Sequence, residues 1–434
     1  MAGHLLALWR QPMELMLSLR SAGEIVRVDL GTSPVCFLTA HELVHQLVVA
    51  QARSFARGRI FERARVFVGS GLATSDGDLH LRQRRLMQPA FHQSRIVAYA
   101  ETMSRNARAM ADSWQPDDLV IPKDAMYDLM LTTVAETMFS SHVGRSARAV
   151  VRRTLPIYVS GMLSRMVAPR LNRLAVPANR RLRRAAAEFR GAIDEIIARY
   201  RSGGVDHGDL LSVLLSARDE ATGEAMTDSQ VSDEVVTIML AGTETTATTM
   251  AWALHELARH PEVEARVHAE VDAVTGMRPV GHADAARLDY TSRVIEETLR
   301  LHGVLLIMRR ALVPVEMGGF LIPAGTEVAY SLYALHRDPV QFPEPGRFDP
   351  DRWLPAGGAS PARRNAFMPF SAGPHRCIGD SFAKTEMIIA LATIAARWRL
   401  RPLPGRTVRE LPAQFPRPSP VPMVVARRAP TGRP

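Results

Sequence analysis

A mainly helical fold, with a large α-helical body and a small β-rich lobe, is what this 434-residue chain predicts. Three observations carry the prediction. Apolar residues recur at helical spacing from about residue 41 to 200 and from 212 to 299. Strand-like alternation is confined to two stretches near the N-terminus and to the chain beyond Arg309. One helix, opened by a capping box at Thr227-Asp228-Ser229-Gln230, meets no breaker until Pro261; at about 33 residues and roughly 50 Å it would cross a whole domain.

Taken in order, a short first helix precedes residue 25, and the apolar stretch 5–19 is interrupted by Arg10, Pro12 and Glu14 and therefore too broken for a membrane span or secretory signal. Residues 25–30 and 35–38 are strands joined by a Gly31-Thr32-Ser33-Pro34 turn. The helical body follows, with breaks expected near Pro89, Pro116, Pro122, Pro156, Pro169, Pro177 and Gly203-Gly204. Residues 320–328 read as strand and turn, 338–362 as a proline-rich meander, 381–398 as a last helix, and about 403–434 as a proline-rich, strand-like tail. Neither an internal repeat nor a long linker is present, so the expectation is one domain over residues 1–434.

Composition excludes several classes. Two cysteines cannot build a disulfide scaffold, which points to a reducing, cytoplasmic setting. The net charge of +10 comes almost wholly from arginine, since Lys123 and Lys384 are the only lysines. The arginines are scattered along amphipathic stretches without interleaved aromatics, and the densest run, 179–184, reads as a solvated helix face; nucleic-acid binding is not expected.

Two motifs compete for the chemistry. His41-Glu42-Leu43-Val44-His45 matches H-E-x-x-H, which on a helix places two imidazoles on one face with a carboxylate as base and would make the protein a zinc peptidase. The extended three-histidine form fails at Val48 and Gln51, leaving Glu62 as a distant third ligand. The second motif runs from Phe370 through Gly373, His375 and Cys377 to Gly379 at the entrance to the last helix. Arg376, His375 and the helix N-terminus all favour a thiolate at Cys377. Gly373 and Gly379 let backbone approach a flat group closely. Cys36, in an alternating strand, reads as a small buried hydrophobe. Within the long helix, Ala241-Gly242-Thr243-Glu244-Thr245-Thr246 puts Gly and Thr where a helix prefers Ala or Leu, so that segment needs either room and hydroxyls or a close helix crossing.

The run F-x-x-G-x-[HR]-x-C-x-G resembles the haem-ligand loop of cytochrome P450 monooxygenases, and other segments fall in that family's order along the chain. Glu297-Thr298-Leu299-Arg300 is similar to its E-x-x-R, and residues 342–348 to its meander, with Arg347 as the partner arginine. The resemblance implies a P450 fold with haem b between the long helix and the cysteine loop, Cys377 as axial iron ligand, and propionate contacts from His80, Arg84, Arg309 and His375. It further implies that Phe370, Gly373, Gly379, Ala241 and Gly242 approach the haem, while Thr245 hydrogen-bonds dioxygen and Glu244 feeds protons. Position 307 is Ile where some bacterial members place a polar propionate contact, and the proline-rich lead before the family's first helix has no counterpart ahead of His4.

No flavin or iron–sulfur domain follows the loop, so the implied electron source is a separate ferredoxin with its reductase, NAD(P)H entering only indirectly. An acidic ferredoxin would dock on Arg82 and Arg85 together with Arg376 or Lys384. Substrate walls carried over from the family are Phe61 and Phe67 in a 61–68 loop, Ala241, Leu305 and Leu306; they imply an apolar substrate. Residues 79–91 and 179–197 are similar to actinomycete sesquiterpene oxygenases, implying a terpenoid of secondary metabolism, with macrolide or polyketide tailoring as the alternative. A haem-thiolate enzyme using peroxide, or rearranging its substrate without a donor, is a further reading.

Overall fold

The structure, a computed structural model, describes residues 4–30, 33–139, 144–167, 176–203, 207–220, 222–276, 278–354 and 366–428. Helices α1 (Leu5–Arg10) and α2 (Pro12–Ala22) precede an antiparallel pair, β1 (Ile25–Leu30) and β2 (Ser33–Leu38). Helix α3 (His41–His45) runs into a π-turn (Gln46–Ala50) and then β3 (Phe55–Arg57). The helical body comprises α4 (Arg59–Val68), α5 (Gly77–Met87), α6 (Gln93–Ser113), α7 (Pro122–Met138) after the short β4 (Leu119–Val120), α8 (Gly144–Val167), α9 (Pro177–Gly203), α10 (Leu210–Ser216) and α11 (Asp228–Arg259). Helices α12 (Pro261–Thr275), α13 (His282–Ala285) and α14 (Asp289–Leu301) lead to β5 (Ile307–Ala311), the β6–β7 hairpin (Val315–Met317, Phe320–Ile322), β8 (Glu327–Tyr330) and α15 (Leu332–Leu335). The chain closes with α16 (Asp380–Ala395), β9 (Trp398–Pro402), β10 (Glu410–Leu411), β11 (Arg417–Pro418) and β12 (Met423–Arg427).

Two compact units share these elements. One contains Met1–Ala56, Met103–Leu129 and Thr245–Pro434; the other contains Arg57–Thr102 and Met130–Glu244, so the C-terminal half of α11 belongs to the first and its N-terminal half to the second. In the first unit, β2 runs parallel to β8 in a sheet of order β1-β2-β8-β5-β3, and β4-β12-β9 form a second sheet. Val28, Val35 and Phe37 pack with Met16, Leu19, Leu305 and Tyr333 on one side, while Leu38, Val44, Leu47, Val328 and Met368 build the neighbouring core. Helix α16 is buried from Glu386 to Ala395, as the largely apolar run that begins at Met387 requires. In the second unit, α9 shows a regular buried stripe of Leu182, Ala185, Phe189, Ile193 and Ile196, with Arg180, Arg181, Arg183 and Arg184 exposed.

The capping box is present as read: Thr227 N–H donates to Gln230 Oε1 and Gln230 N–H to Thr227 Oγ1. Several boundaries differ from expectation. The first helix is two, because Pro12 lacks the N–H needed to continue α1 and instead starts α2. Pro156 lies inside α8 instead of ending it. Residues 61–68 belong to helix α4 and not to a loop, and the last helix stops at Ala395, with Trp398 opening a strand. Gly31, Thr32, Pro169, Gly204, residues 355–362 of the meander and the end of the tail lie outside the described residues. Among the described residues no helix is long and apolar enough to cross a membrane.

Candidate active site

Residues 366–379 are shaped by backbone requirements that the sequence pattern already hints at. Ser371 and Gly373 both have positive φ, 60° and 68°, and a Cβ at Gly373 would overlap the carbonyl oxygen of Val48 in the π-turn. Only glycine fits there. Cys377 N–H donates to the Phe370 carbonyl at 2.9 Å, closing the loop, and leaves Cys377 exposed ahead of α16. Phe370 and His375 are half-buried, and the Lys384 ammonium lies over the Phe370 ring. Gly379 is the N-cap of α16 with φ −95°, so its backbone needs no left-handed freedom.

The loop is held from behind by a chain of buried polar groups. Glu297 and Arg300 on α14 are fully buried and form a bidentate pair at 2.8 and 2.9 Å. Arg300 also donates to the carbonyl of His336, whose Nε2 accepts the Met368 N–H at 3.1 Å at the start of the cysteine loop. Complete burial holds the His336 pKa well below the usual imidazole value, so the ring is neutral and Nε2 is an acceptor. Glu297 takes three more donors: Asp349 N–H at 3.0 Å, Trp353 Nε1 at 3.1 Å and Arg352 Nε at 3.3 Å.

The second guanidinium of this lock is therefore Arg352, not Arg347. Arg347 is exposed and pairs with Glu344, contributing only its backbone carbonyl to Arg300. The Pro350–Trp353 turn brings Arg352 back onto Glu297, a reversal that linear spacing in the meander does not reveal. Sequence reasoning also missed His336, which carries no motif of its own.

Arg309 on β5 is buried, and its one hydrogen bond is to the adjacent Met308 carbonyl at 2.9 Å. Among the described residues no carboxylate pairs with it, an arrangement that favours an anionic ligand group. In the other unit, His80 on α5 is buried with Nδ1 3.2 Å from the Leu72 carbonyl, and Arg84 one turn on is half-buried.

Along α11, Ile238, Ala241, Gly242 and Thr245 recur at i, i+3, i+4 and i+7, and this face is the less covered one: Ala241 is exposed and the other three are half-buried. Glu244 is half-buried beside it. Gly242 lies close to α7: a Cβ there would sit 3.1 Å from Val134 Cγ2, a tight contact that Val134 would have to yield to. Ile238 had no signal beyond its helical register with Ala241 and Thr245. Thr249 Oγ1 donates to the Thr245 carbonyl at 3.1 Å.

Of the expected substrate walls, Phe67 makes an edge contact with Tyr158, the Arg57 guanidinium lies over Phe61, and both phenylalanines are half-buried on α4. Leu305 is buried among Met16, Leu19 and Phe37, so it is a core residue, and Leu306 packs against the same cluster. The H-E-x-x-H pattern does not converge. His41 is buried, 3.1 Å from the Leu335 carbonyl, with its pKa lowered mainly by burial, whereas Glu42 and His45 are exposed. Among the described residues no three His, Cys, Asp or Glu side chains could hold a metal ion together. The motif instead leads into the π-turn that backs Gly373. Cys36 is half-buried in β2, and burial pushes its thiol pKa up.

The family model for cytochrome P450 matches residues 1–424. The chain is a cytochrome P450. It is 43% identical over 429 residues to cyclooctat-9-en-7-ol 5-monooxygenase of Streptomyces melanosporofaciens, covering 98% of this chain and 93% of the relative. Cyclooctatin synthase of the same organism is 42% identical, with 95% and 90% covered, and pentalenene oxygenase of Streptomyces avermitilis is 36% identical, with 94% and 91% covered. Among solved structures, the cytochrome P450DA heme domain superposes with a TM-score of 0.88 at 28% identity, covering 99% of this chain and 96% of that one. This P450 is thus an oxidoreductase of the monooxygenase type, a family whose members use haem iron and dioxygen, and its relatives act on terpenoids.

Proposed function

We propose that this P450 inserts one oxygen atom from dioxygen into an apolar terpenoid, with electrons delivered by a separate ferredoxin and its reductase, and that the two compact units work as one catalytic domain. The observation that carries the substrate class is the similarity, at 36–43% identity over more than nine-tenths of the chain, to the cyclooctatin and pentalenene enzymes. The apolar face of Ile238 and Ala241 on α11 agrees with it.

The residues present fit a haem. An exposed cysteine sits in a loop whose glycine packs on backbone, and a buried guanidinium lacks a carboxylate. Cys377 would supply the thiolate, and Arg309, His375, His80 and Arg84 would take the propionates. When bound, the haem supplies dioxygen activation and oxygen insertion. The chain's own part is to place and protonate. The Glu297–Arg300–His336–Met368 chain holds the cysteine loop rigid. With haem bound, the Thr245 hydroxyl, half-buried on α11, would hold a proton at its Oγ1 towards the site, and the Glu244 carboxyl would supply protons to that hydroxyl. Ile238 and Ala241 exclude water and pack against the apolar substrate.

The carrier docks near Cys377. Arg376 and Lys384 flank the loop but are paired with Asp380 and Glu296, while Arg82 and Arg85 pair with Glu224 and Asp219, so the surface field is weaker than the arginine count suggests. Incubating purified protein with a ferredoxin, its reductase, NADPH and a panel of cyclic terpene hydrocarbons and alcohols tests the proposal. Oxygenated terpenoids and a substrate-induced spectral shift are expected; turnover of macrolides alone, or peroxide-driven turnover indifferent to ferredoxin, would overturn it.

A further inference from the structure

The segment between α4 and α5 lies flat on α11 through backbone, not side-chain, contacts. Ser70 N–H donates to Asp233 Oδ2 at 2.8 Å and Leu72 N–H to Glu234 Oε2 at 2.9 Å. Two glycines permit this approach. Gly69 has φ +76° and a Cβ there would overlap the Asp233 carboxylate, while a Cβ at Gly71 would lie 2.6 Å from Thr237 Oγ1 and 3.1 Å from Glu234 Oε2. The far side of the Leu72 peptide is held as well, its carbonyl accepting from Arg57 Nη2 at 2.9 Å and from His80 Nδ1 at 3.2 Å. One peptide group therefore joins a carboxyl of the long helix to the ring of His80.

Glu234 is fully buried, and its Oε1 has no hydrogen-bond partner among the described residues. Burial, with Asp233 alongside, raises its pKa to about 8, so near neutrality it is a neutral carboxyl accepting the Leu72 N–H as an amide oxygen would. A buried carboxyl with a single backbone donor is poor packing, yet it stands where it fixes the carbonyl that orients His80. We propose that Glu234 is a positioning residue for haem binding: through the Leu72 peptide it sets the orientation of His80, committing Nδ1–H to the carbonyl so that the ring, as imidazolium, turns its Nε2–H to a propionate. This rests on the reading of His80 as a propionate donor.

Haem transfer from the holoenzyme to excess apomyoglobin at pH 7 measures the effect without turnover. His80→Asn and Glu234→Met are each expected to speed haem loss about tenfold, the usual cost of losing a ligand-orienting hydrogen bond, and Glu234→Gln, which keeps the acceptor, by less than about twofold. In the double variant Glu234→Met/His80→Asn the rate should equal that of His80→Asn alone, because the carboxyl acts through the ring. Multiplicative effects in the double variant, or Glu234→Gln as damaging as Glu234→Met, would overturn the proposal while leaving His80 in place. A wild-type rate in His80→Asn would remove the underlying reading and the proposal with it. Should Glu234→Met not accumulate as folded protein, Gly71→Ala displaces the same peptide and must show the same dependence on His80.

Discussion

Replacing Arg352 and Arg347 separately with alanine measures which arginine closes the lock behind the cysteine loop. Arg352 is buried; its Nε donates to Glu297, its Nη1 to the Pro343 carbonyl at 2.7 Å and its Nη2 to the Glu344 carbonyl at 3.4 Å. Loss of the charge-assisted bond costs about 1.5–3 kcal/mol and each carbonyl bond about 1 kcal/mol or less. Glu297 keeps Arg300, Asp349 N–H and Trp353 Nε1, so the carboxylate is not orphaned. The sum is about 3 kcal/mol for Arg352→Ala. Arg347 has an exposed pair at 3.3 Å with Glu344, for which about 0.5 kcal/mol or less is expected. Urea denaturation of the holoprotein, followed in parallel by far-ultraviolet circular dichroism and the haem band, checks both. The Arg352→Ala midpoint should fall well below that of Arg347→Ala, with the haem signal lost first as the meander loosens the Met368–Cys377 segment. Equal midpoints, or a larger loss from Arg347→Ala, would refute the assignment.

Four further outcomes follow from the same geometry. Cys377→His should abolish the long-wavelength carbon-monoxide band of the reduced protein, read by difference spectroscopy. Thr245→Ala should retain haem and substrate binding but divert electrons to hydrogen peroxide, lowering product per NADPH by about 10²-fold or more if the hydroxyl delivers the proton; product and peroxide assays on one sample decide it. Glu234 binds a proton in the native state that the unfolded chain gives up near pH 4.5, so stability should fall between about pH 4.5 and 8 and then level off, at a slope of up to about 1.4 kcal/mol per pH unit; urea midpoints across that range should be flatter in Glu234→Gln. Charge reversal at Arg376 and Lys384 should slow ferredoxin reduction of the P450 and lessen its dependence on ionic strength, measured by stopped flow.

Much of this P450 was legible in its residues because the relevant constraints are local. The capping box and the absence of breakers defined α11, backbone geometry demanded Gly373, and the short F-x-x-G-x-[HR]-x-C-x-G run carried the cysteine. Ala241 and Thr245 came from the family resemblance, and their i, i+4 spacing puts them on one face of the helix. What only the tertiary structure decided are contacts between residues far apart in the chain, where periodicity has nothing to say. The meander turn selected Arg352 over Arg347, packing against α2 and the sheet made Leu305 core, and Val134 of α7 came close to Gly242. His41 and His45 share a helix but parted because one was buried against the Leu335 carbonyl while the other stayed in solvent, and a metal pair needs both to face the same point. Glu234 reached His80 through a peptide bond 162 residues away in sequence, a link that exists only once α11 and the α4–α5 segment have packed.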